Sequence, residues 1–482
     1  MSPVEPVFEF QIDLDGDGGR LRQLHEQLRA AIVDQRLRPG VELPSTRRVA
    51  SAYGLARNTV IAAYDLLVAE GHVLTRAGAR AVVTDYRAKS ARPARGGARP
   101  ADERLNPQWR TLPARARNAD ETWMPGFHLG TPEHRHFPFE VWRRLLGRVY
   151  HPRHIGAFDY HSPYGRPRLR AAIAQHVSFA RAVACGADDV LVTSGAQQAF
   201  DLIARVLVVP GKTQVAVEDP GYPPLRAALL AAGAQLVPIA VDEEGLCVDR
   251  LPTDVRLICV TPSHQFPTGV AMSMARRIAL LAFARRHGAT IVEDDYDGEF
   301  RYGHRPLNAL QTLDRDASVL YVGTFSKSLF PALRIGYVVA PAWAREPLAA
   351  AKQCIDTAGN AQLQDALAQF ILDGHLARHV RRMRKLYGER RRAMLEGFAG
   401  ELRPWLVAIP SEAGIHVSAR FRDPGQATRL LTKARQHAPG ACAIGEFATR
   451  PDPGLGLVFG IGGIETQAIR DALRTFALSL RR

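Results

Sequence analysis

From residue 123 onward, short β-rich runs alternate with helical stretches: VLVTSG, TQVAVED, RLICVTP, TIVEDD, VLYVGTF and RIGYVVA. Parallel strands cannot be joined by a tight turn, so each needs a long crossover, most often a helix. Segment 123–482 is therefore expected to fold as α/β around a largely parallel sheet, with its chemistry at the strand ends. The chain shows no internal repeat.

The pattern before residue 86 is different, and residues 15–85 are assigned to a separate unit. In RLRQLHEQLRAAIVDQ, Leu21, Leu24, Leu28, Ala31 and Ile32 recur at helical spacing, and Arg38-Pro39-Gly40 breaks the helix. Ser45 is placed to cap a short second helix, STRRVASAY, which Gly54 ends. A third helix is expected from about Arg57 to Glu70, with Val60, Ala63, Tyr64, Leu67 and Val68 inward and Gly71 just past its end. HVLTRAGARAVVTD then reads as a hairpin around Ala77-Gly78. Between the two units, residues 86–122 are rich in Arg, Pro, Ala and Gly without apolar periodicity, the composition of a flexible basic linker.

The length of 482 residues suits two or three domains. The formal net charge of +15 suggests a polyanionic partner, but the surplus lies elsewhere than in the helical unit: residues 1–85 carry ten Lys/Arg against eleven Asp/Glu, residues 86–118 nine against two, and the remainder 44 against 35. DNA binding must therefore rest on motifs. Five scattered cysteines, with no C-x-x-C pair and no histidines at ligand spacing, imply reduced thiols and no metal site. No apolar run is long enough to span a membrane, and MSPVEPVFEF lacks the layout of a signal peptide, so a cytoplasmic location is expected.

Three helices followed by a hairpin describe a winged helix-turn-helix, whose third helix enters the major groove with its first residues at base edges. Those residues are Arg57, Asn58 and Thr59; Arg can pair bidentately with guanine and Asn with adenine. Arg47 and Arg48 open the second helix beside Ser45, where phosphate contacts belong, and the hairpin adds Arg76 and Arg80. A three-helix protein-interaction module with solvated arginines would show the same periodicity. The string RLRPGVELPSTRRVASAYGLARNTVIAAYDLLVAEGHV favours DNA, because its PG-x-x-LPS-x-R and R-x-TV-x-x-A-Y-x-x-L-x-x-EG elements resemble the DNA-binding domain of the GntR family. The wing departs from that family's Gly-x-Gly-Thr-x-Val, with Gly78-Ala79-Arg80-Ala81-Val82-Val83 in its place.

The second unit has the groups that pyridoxal 5′-phosphate (PLP) needs: an amine, an acid for the pyridine nitrogen, a phosphate cradle and a stacking face. Of only six lysines, Lys89 is in the linker, Lys212 in a turn, and Lys352, Lys385 and Lys433 in polar helical stretches; Lys327 alone follows a β-run, in GTFSKSLFPALRIG. Desolvation there would depress its pKa. Asp294, three residues after Ile291 in TIVEDD, is the preferred acid, with the adjacent Asp295 as the alternative. Tyr296 could bond the 3′-oxygen of the ring and Tyr222 could stack on it. A helix opening at Gly195-Ala196-Gln197 offers backbone N–H groups to phosphate, and Thr324, Ser326 and Arg334 add side-chain donors.

The strings VTSGAQQAFDL, VEDPGYPP, TPSHQFPTG, IVEDDYDGEF and GTFSKSLFPALRIG, in this order, resemble the fold-type-I, class I/II aminotransferase domain over about residues 123–482. That resemblance implies a mixed, mostly parallel sheet with flanking helices and a small C-terminal subdomain. It makes Lys327 the Schiff-base lysine and Asp294 and Tyr296 cofactor contacts. Tyr160, in YHSPYG, matches the tyrosine that reaches the phosphate of the partner subunit's cofactor, which implies a dimer. Both halves together resemble the MocR subfamily of GntR regulators, of which HQFPTG and EDDYD are typical; members are expected to be head-to-tail dimers binding promoter DNA and sensing PLP or a small amine or amino acid.

Two departures from aminotransferases favour sensing over turnover. Phe266 stands where they carry Asn before Pro-Thr-Gly, and Leu455-Gly456-Leu457-Val458-Phe459 lacks the Arg of L-R-L-x-F that clamps the substrate carboxylate. Arg450 is the nearby residue that could substitute. The competing readings are a working aminotransferase that carries a DNA-binding domain, and a DNA-binding scaffold with a dead pocket.

Overall fold

The computed structural model describes residues 7–14, 19–75, 80–85, 126–151, 159–303, 308–450 and 452–481, with residues 104, 106 and 109. Arg76, the hairpin tip at 77–79 and nearly all of the linker lie outside the described residues. The chain divides into two compact units, Met1–Pro100 and Ala101–Arg482.

In the first unit, α1 (Arg20–Val33), α2 (Thr46–Ala52) and α3 (Arg57–Ala69) are followed by β1 (Val73–Leu74) and β2 (Val82–Val83), which pair antiparallel. α1 buries Leu24, Leu28, Ala31 and Ile32 as its periodicity predicts, and also His25, whose Nε2 lies 3.1 Å from Glu70. Leu21 is only half-buried. Ser45 caps α2 by accepting from the Arg48 N–H at 3.3 Å. α3 buries Val60, Ala63, Tyr64 and Leu67, and the Tyr64 hydroxyl donates to the Pro44 carbonyl at 2.9 Å, tying α3 to the turn before α2. The wing is broader than a hairpin: Val83 N–H donates to Val41 O and Leu43 N–H to Ala81 O, so β2 lies between β1 and the segment before α2.

In the second unit, β3 (Val190–Thr193), β4 (Gln214–Asp219), β5 (Gln235–Asp242), β6 (Gly245–Leu246), β7 (Leu257–Val260), β8 (Thr290–Asp295), β9 (Val319–Thr324) and β10 (Gly336–Val339) form one sheet. Its order is β3-β10-β9-β8-β7-β4-β5-β6. The run β9-β8-β7-β4-β5 is parallel, β10 is antiparallel to both its neighbours, and β6 is antiparallel to β5. Period-two alternation sends Leu191, Val292, Leu320, Val322 and Val338 into one core cluster, whereas Val190, Val192, Tyr321, Tyr337 and Val339 enter another.

The first of these clusters takes in α6 (Ala196–Leu207), α7 (Pro223–Ala231) and α9 (Ala342–Asp356). The second takes in α4 (Phe139–Val149), α5 (Pro167–Arg181), α10 (Ala361–Leu372) and α11 (His375–Ala399). Helix α8 (Met274–His287) packs with Ile258, Val260 and Ile291 in a third. A smaller antiparallel sheet follows: β11 (Leu406–Ala408), β12 (His416–Phe421), β13 (Cys442–Ala443) and β14 (Leu457–Gly460), in the order β11-β12-β14-β13, with α12 (Ala427–His437) and α13 (Thr466–Arg481). This is the mixed, mostly parallel α/β fold with a C-terminal subdomain that the sequence implies. No helix of the described residues is long and apolar enough to cross a membrane.

Candidate functional site

The carboxyl ends of β4, β7, β8 and β9 and the turn after β3 open on one cavity of about 530 Å³. The strand β9 ends at Thr324, and the chain turns so that the Lys327 side chain enters this cavity and donates to the Gly130 carbonyl at 2.9 Å. Burial pushes the Lys327 ammonium below the usual lysine range, against the pull of Asp297 and Asp294, and Arg334 adds repulsion. Its hydrogen-bond partner is a neutral carbonyl. Lys352 is the contrast, and here the structure corrects the sequence reading: it is 1% exposed rather than on a polar surface, and it pairs with Asp356 on its own helix.

The pleat sends Asp294 and Asp295 to opposite sides of the sheet. Asp295 points away from the cavity into an ion pair with Arg181 at 2.6 Å and accepts from the Tyr321 hydroxyl at 2.7 Å. Asp294 lines the cavity, is 3% exposed, and has an Oδ1 without a hydrogen-bond partner among the described residues. Burial, reinforced by Asp295 and Asp297, raises its pKa well above the carboxylate range. A buried acid in this state favours its neutral form and ionises only where a cationic partner is brought to it.

Gly195 precedes α6 at φ +83°, a left-handed conformation in which an added Cβ would fall 2.8 Å from the Arg334 guanidinium. The Arg334 guanidinium donates to Ser194 O at 2.8 Å, so guanidinium and first-turn N–H groups converge near Ala196 and Gln197. Thr324 and Ser326 are buried at the same wall, their hydroxyls 3.1 Å apart. Tyr222 lines the cavity, edge-on to Phe266 at 5.4 Å. The Tyr296 ring also lines it, but its hydroxyl donates to the His264 carbonyl at 2.9 Å, so bonding to an oxygen in the cavity requires that proton to turn away.

Tyr160 is 89% exposed and is not part of the cavity wall. Arg450 is also exposed and off the wall. Gly456 has φ +134°, and a Cβ there would lie 2.1 Å from the Ala419 carbonyl, so the backbone itself excludes an arginine.

Sequence reasoning missed Gly130, His416 and Phe447, which chain topology brings to the wall from far along the sequence. It also missed a buried cluster of His264, Asp297 and His416, whose ligand-type atoms lie within 4.8 Å of one another. The His264 Nδ1 sits 3.1 Å from Asp297, and the two imidazoles face each other at 4.3 Å with a 34° tilt. The rings are tilted against each other and the His264 Nδ1 is taken up by Asp297, so the cluster reads as hydrogen bonding and packing.

In the first unit, Arg57 and Asn58 are exposed at the start of α3, Thr59 is half-buried behind them, and Ser45, Arg47 and Arg48 are exposed at the start of α2. Arg80 is exposed and paired with Glu42 at 3.3 Å.

Comparison with known proteins joins the two halves. Residues 21–83 match the family model of bacterial regulatory proteins, gntR family, and residues 128–437 match that of aminotransferase class I and II. The chain is similar to the probable rhizopine catabolism regulatory protein MocR of Rhizobium meliloti, 37% identical over 96% of this chain and 94% of that one. It is similar to the HTH-type transcriptional regulator TauR of Rhodobacter capsulatus, 36% identical over 81% of each chain. Among solved structures it resembles a kynurenine aminotransferase of Pyrococcus horikoshii in complex with PMP, with a TM-score of 0.69 and 27% identity over 75% of this chain and 91% of that one.

Proposed function

Since the chain belongs to the MocR subfamily of the bacterial gntR-family regulators, with an aminotransferase class I and II domain in the same chain, we propose that it is a DNA-binding transcription regulator whose second unit holds PLP and senses PLP or a small amine or amino acid. The observation that carries the reading is the pairing, in one cavity, of a buried lysine that donates to a neutral carbonyl with a buried aspartate oxygen that has no partner among the described residues. The residues fit the group: Lys327 is the amine, Asp294 faces the ring nitrogen, Tyr222 stacks on the ring, and Tyr296 lies within reach of its oxygen. Gly195, Ala196, Gln197, Thr324, Ser326 and Arg334 hold the phosphate. When bound, the cofactor supplies an aldehyde and an electron-withdrawing ring.

Each residue acts through its own chemistry. Desolvation lowers the Lys327 pKa and so raises the share of its nucleophilic neutral form. Asp294, raised in pKa while alone, ionises fully only against a protonated nitrogen. Tyr160, exposed and off the wall of the cavity of its own subunit, serves that of a second copy in a homodimer, arranged head to tail. Ser45, Arg47, Arg48, Arg57, Asn58, Thr59, Arg76 and Arg80 contact DNA. Steady turnover is not part of the function, because the carboxylate clamp position is a glycine whose backbone admits no side chain.

The test is spectroscopic and then functional. Adding PLP to the purified full chain should give a near-visible absorption band that Lys327→Ala abolishes. A footprint on DNA upstream of its own gene should change when PLP is added. A band that survives Lys327→Ala, or steady multiple turnover with an amino acid and a keto acid, overturns the reading.

A further inference from the structure

We infer that Lys352 and Asp356, neither of which lines the cofactor cavity, are positioning residues for the cofactor's phosphate: Asp356 holds the turn 194–198 in shape, and Lys352 keeps that carboxylate from competing with the phosphate for Arg334. This rests on the PLP-holding reading above and adds to it the support behind the phosphate cradle.

Lys352 is 1% exposed, and its partner among the described residues is Asp356, one helical turn further along α9. A buried ion pair returns little net stability, so its use lies in what it orients. Asp356 turns Oδ1 to Lys352, while Oδ2 accepts from Gln198 Nε2 at 2.8 Å and from Ser194 Oγ at 3.4 Å. Gln198 in turn accepts at Oε1 from the Ser194 N–H at 2.7 Å. One carboxylate oxygen thereby grips both ends of the turn Ser194–Gln198, whose middle, Ala196 and Gln197, lines the cofactor cavity. Burial pushes the Asp356 pKa up, but the hydrogen bonds from Gln198 and Lys352 outweigh it and hold the carboxyl below its ordinary value, hence ionised.

Lys352 lies outside the cofactor cavity. With Ser194, Arg334 and Gln364 it lines a separate pocket of about 130 Å³, and Arg334 is the residue that this pocket and the cofactor cavity share. Arg334 donates to Ser194 O at 2.8 Å, so its guanidinium and the Asp356 carboxylate meet on one residue. A carboxylate in that place would by itself attract Arg334 and repel a phosphate. Lys352 neutralises it and leaves Oδ2 in place to hold Ser194 and Gln198. The N–H groups at the start of α6 are then fixed before the phosphate arrives, which spares their ordering on binding.

PLP and pyridoxal, which lacks the phosphate, are titrated into the purified full chain and followed by the Lys327-dependent band. The ratio of their half-saturation concentrations is the readout, because general damage to the fold weakens both ligands alike. Gln198→Met cuts the link to the turn and leaves the ion pair intact. It should contract the preference for PLP by about tenfold, the worth of a hydrogen bond to a charged group. Inorganic phosphate, read as a competitor of PLP, should weaken by the same factor. Lys352→Met should contract the preference further, and joining Asp356→Asn to it should recover part of that loss, because the stray carboxylate goes with its partner. Gln198→Met decides the matter where Lys352→Met fails to fold, since Gln198 is half-buried and outside the ion pair. Equal weakening of PLP and pyridoxal in Gln198→Met, an unchanged ratio, or a double variant that prefers PLP less than Lys352→Met does would each overturn the inference. A wild-type band that never forms, or one that survives Lys327→Ala, instead defeats the cofactor reading beneath it.

Discussion

Two neighbouring carboxylates on β8 take opposite parts because successive side chains on a strand face opposite sides. Asp295 is half of a buried pair with Arg181, and removing one partner of such a pair costs about 3–5 kcal/mol. Asp295→Asn should therefore lower the unfolding midpoint strongly. Asp294→Asn removes a buried carboxylate whose Oδ1 is unpartnered, so the empty protein should be no less stable, while PLP affinity falls by about tenfold or more. Equal loss of stability in both variants would refute the assignment. His416 carries a pH signature of its own. Its pKa is lowered to about 3, so its stabilisation is complete above the unfolded value of about 6.5 and is lost as pH falls from there toward 3. Between pH 7.5 and 5 this amounts to about 2 kcal/mol, and denaturant midpoints should show a shallower acid loss in His416→Phe than in the wild type. The place of Lys327 at the end of β9 was legible in the sequence, because it follows the run VLYVGTF among only six lysines. The burial of Lys352 and the placement of His416 and Gly130 were not, because they follow from how distant segments pack, which spacing along the chain does not encode.

At the scale of elements, α3 is the part most completely written into its own residues. Val60, Ala63, Tyr64 and Leu67 fix one face of α3 inward, and that choice turns Arg57 and Asn58 outward at its first turn. Arg57→Ala should weaken binding to the specific promoter duplex by about 1–3 kcal/mol and leave folding stability within about 0.5 kcal/mol, measured by fluorescence anisotropy and denaturant melts. Undiminished affinity would count against α3 as the reader. Arg80→Ala should cost less, since Arg80 must first leave Glu42 to reach a phosphate. The six β-runs quoted from the sequence are all strands of the large sheet. The antiparallel setting of β10 was not legible, because strand direction depends on the connection and not on the run itself. The strand β5 was passed over as well: its eight residues include Pro238, which breaks the reading of a continuous β-run. The short strands of the second sheet escaped for want of length, β11 having three residues and β13 two.

For the whole molecule, the question is whether the two units communicate, and thermodynamics constrains the answer more tightly than charge does. The surplus of basic residues lies in the linker and the second unit, so the first unit must obtain specificity from a few oriented side chains. If the occupied cavity changes DNA affinity by some factor, DNA must change the affinity of the cavity for its ligand by the same factor. A coupling of about 1–3 kcal/mol corresponds to a shift of about five- to 150-fold. Titrating PLP into the full chain with and without the specific promoter duplex, by the absorption band, should therefore displace the half-saturation point by that factor. The anisotropy titration of DNA with and without PLP should return the same number in reverse. A nonspecific duplex of equal length controls for the basic linker, which would bind it as well as the promoter and produce no displacement. If DNA and PLP each bind but neither moves the other, the molecule holds a reader and a cofactor site without being a sensor of PLP, and the regulatory signal must then come from the amine alone.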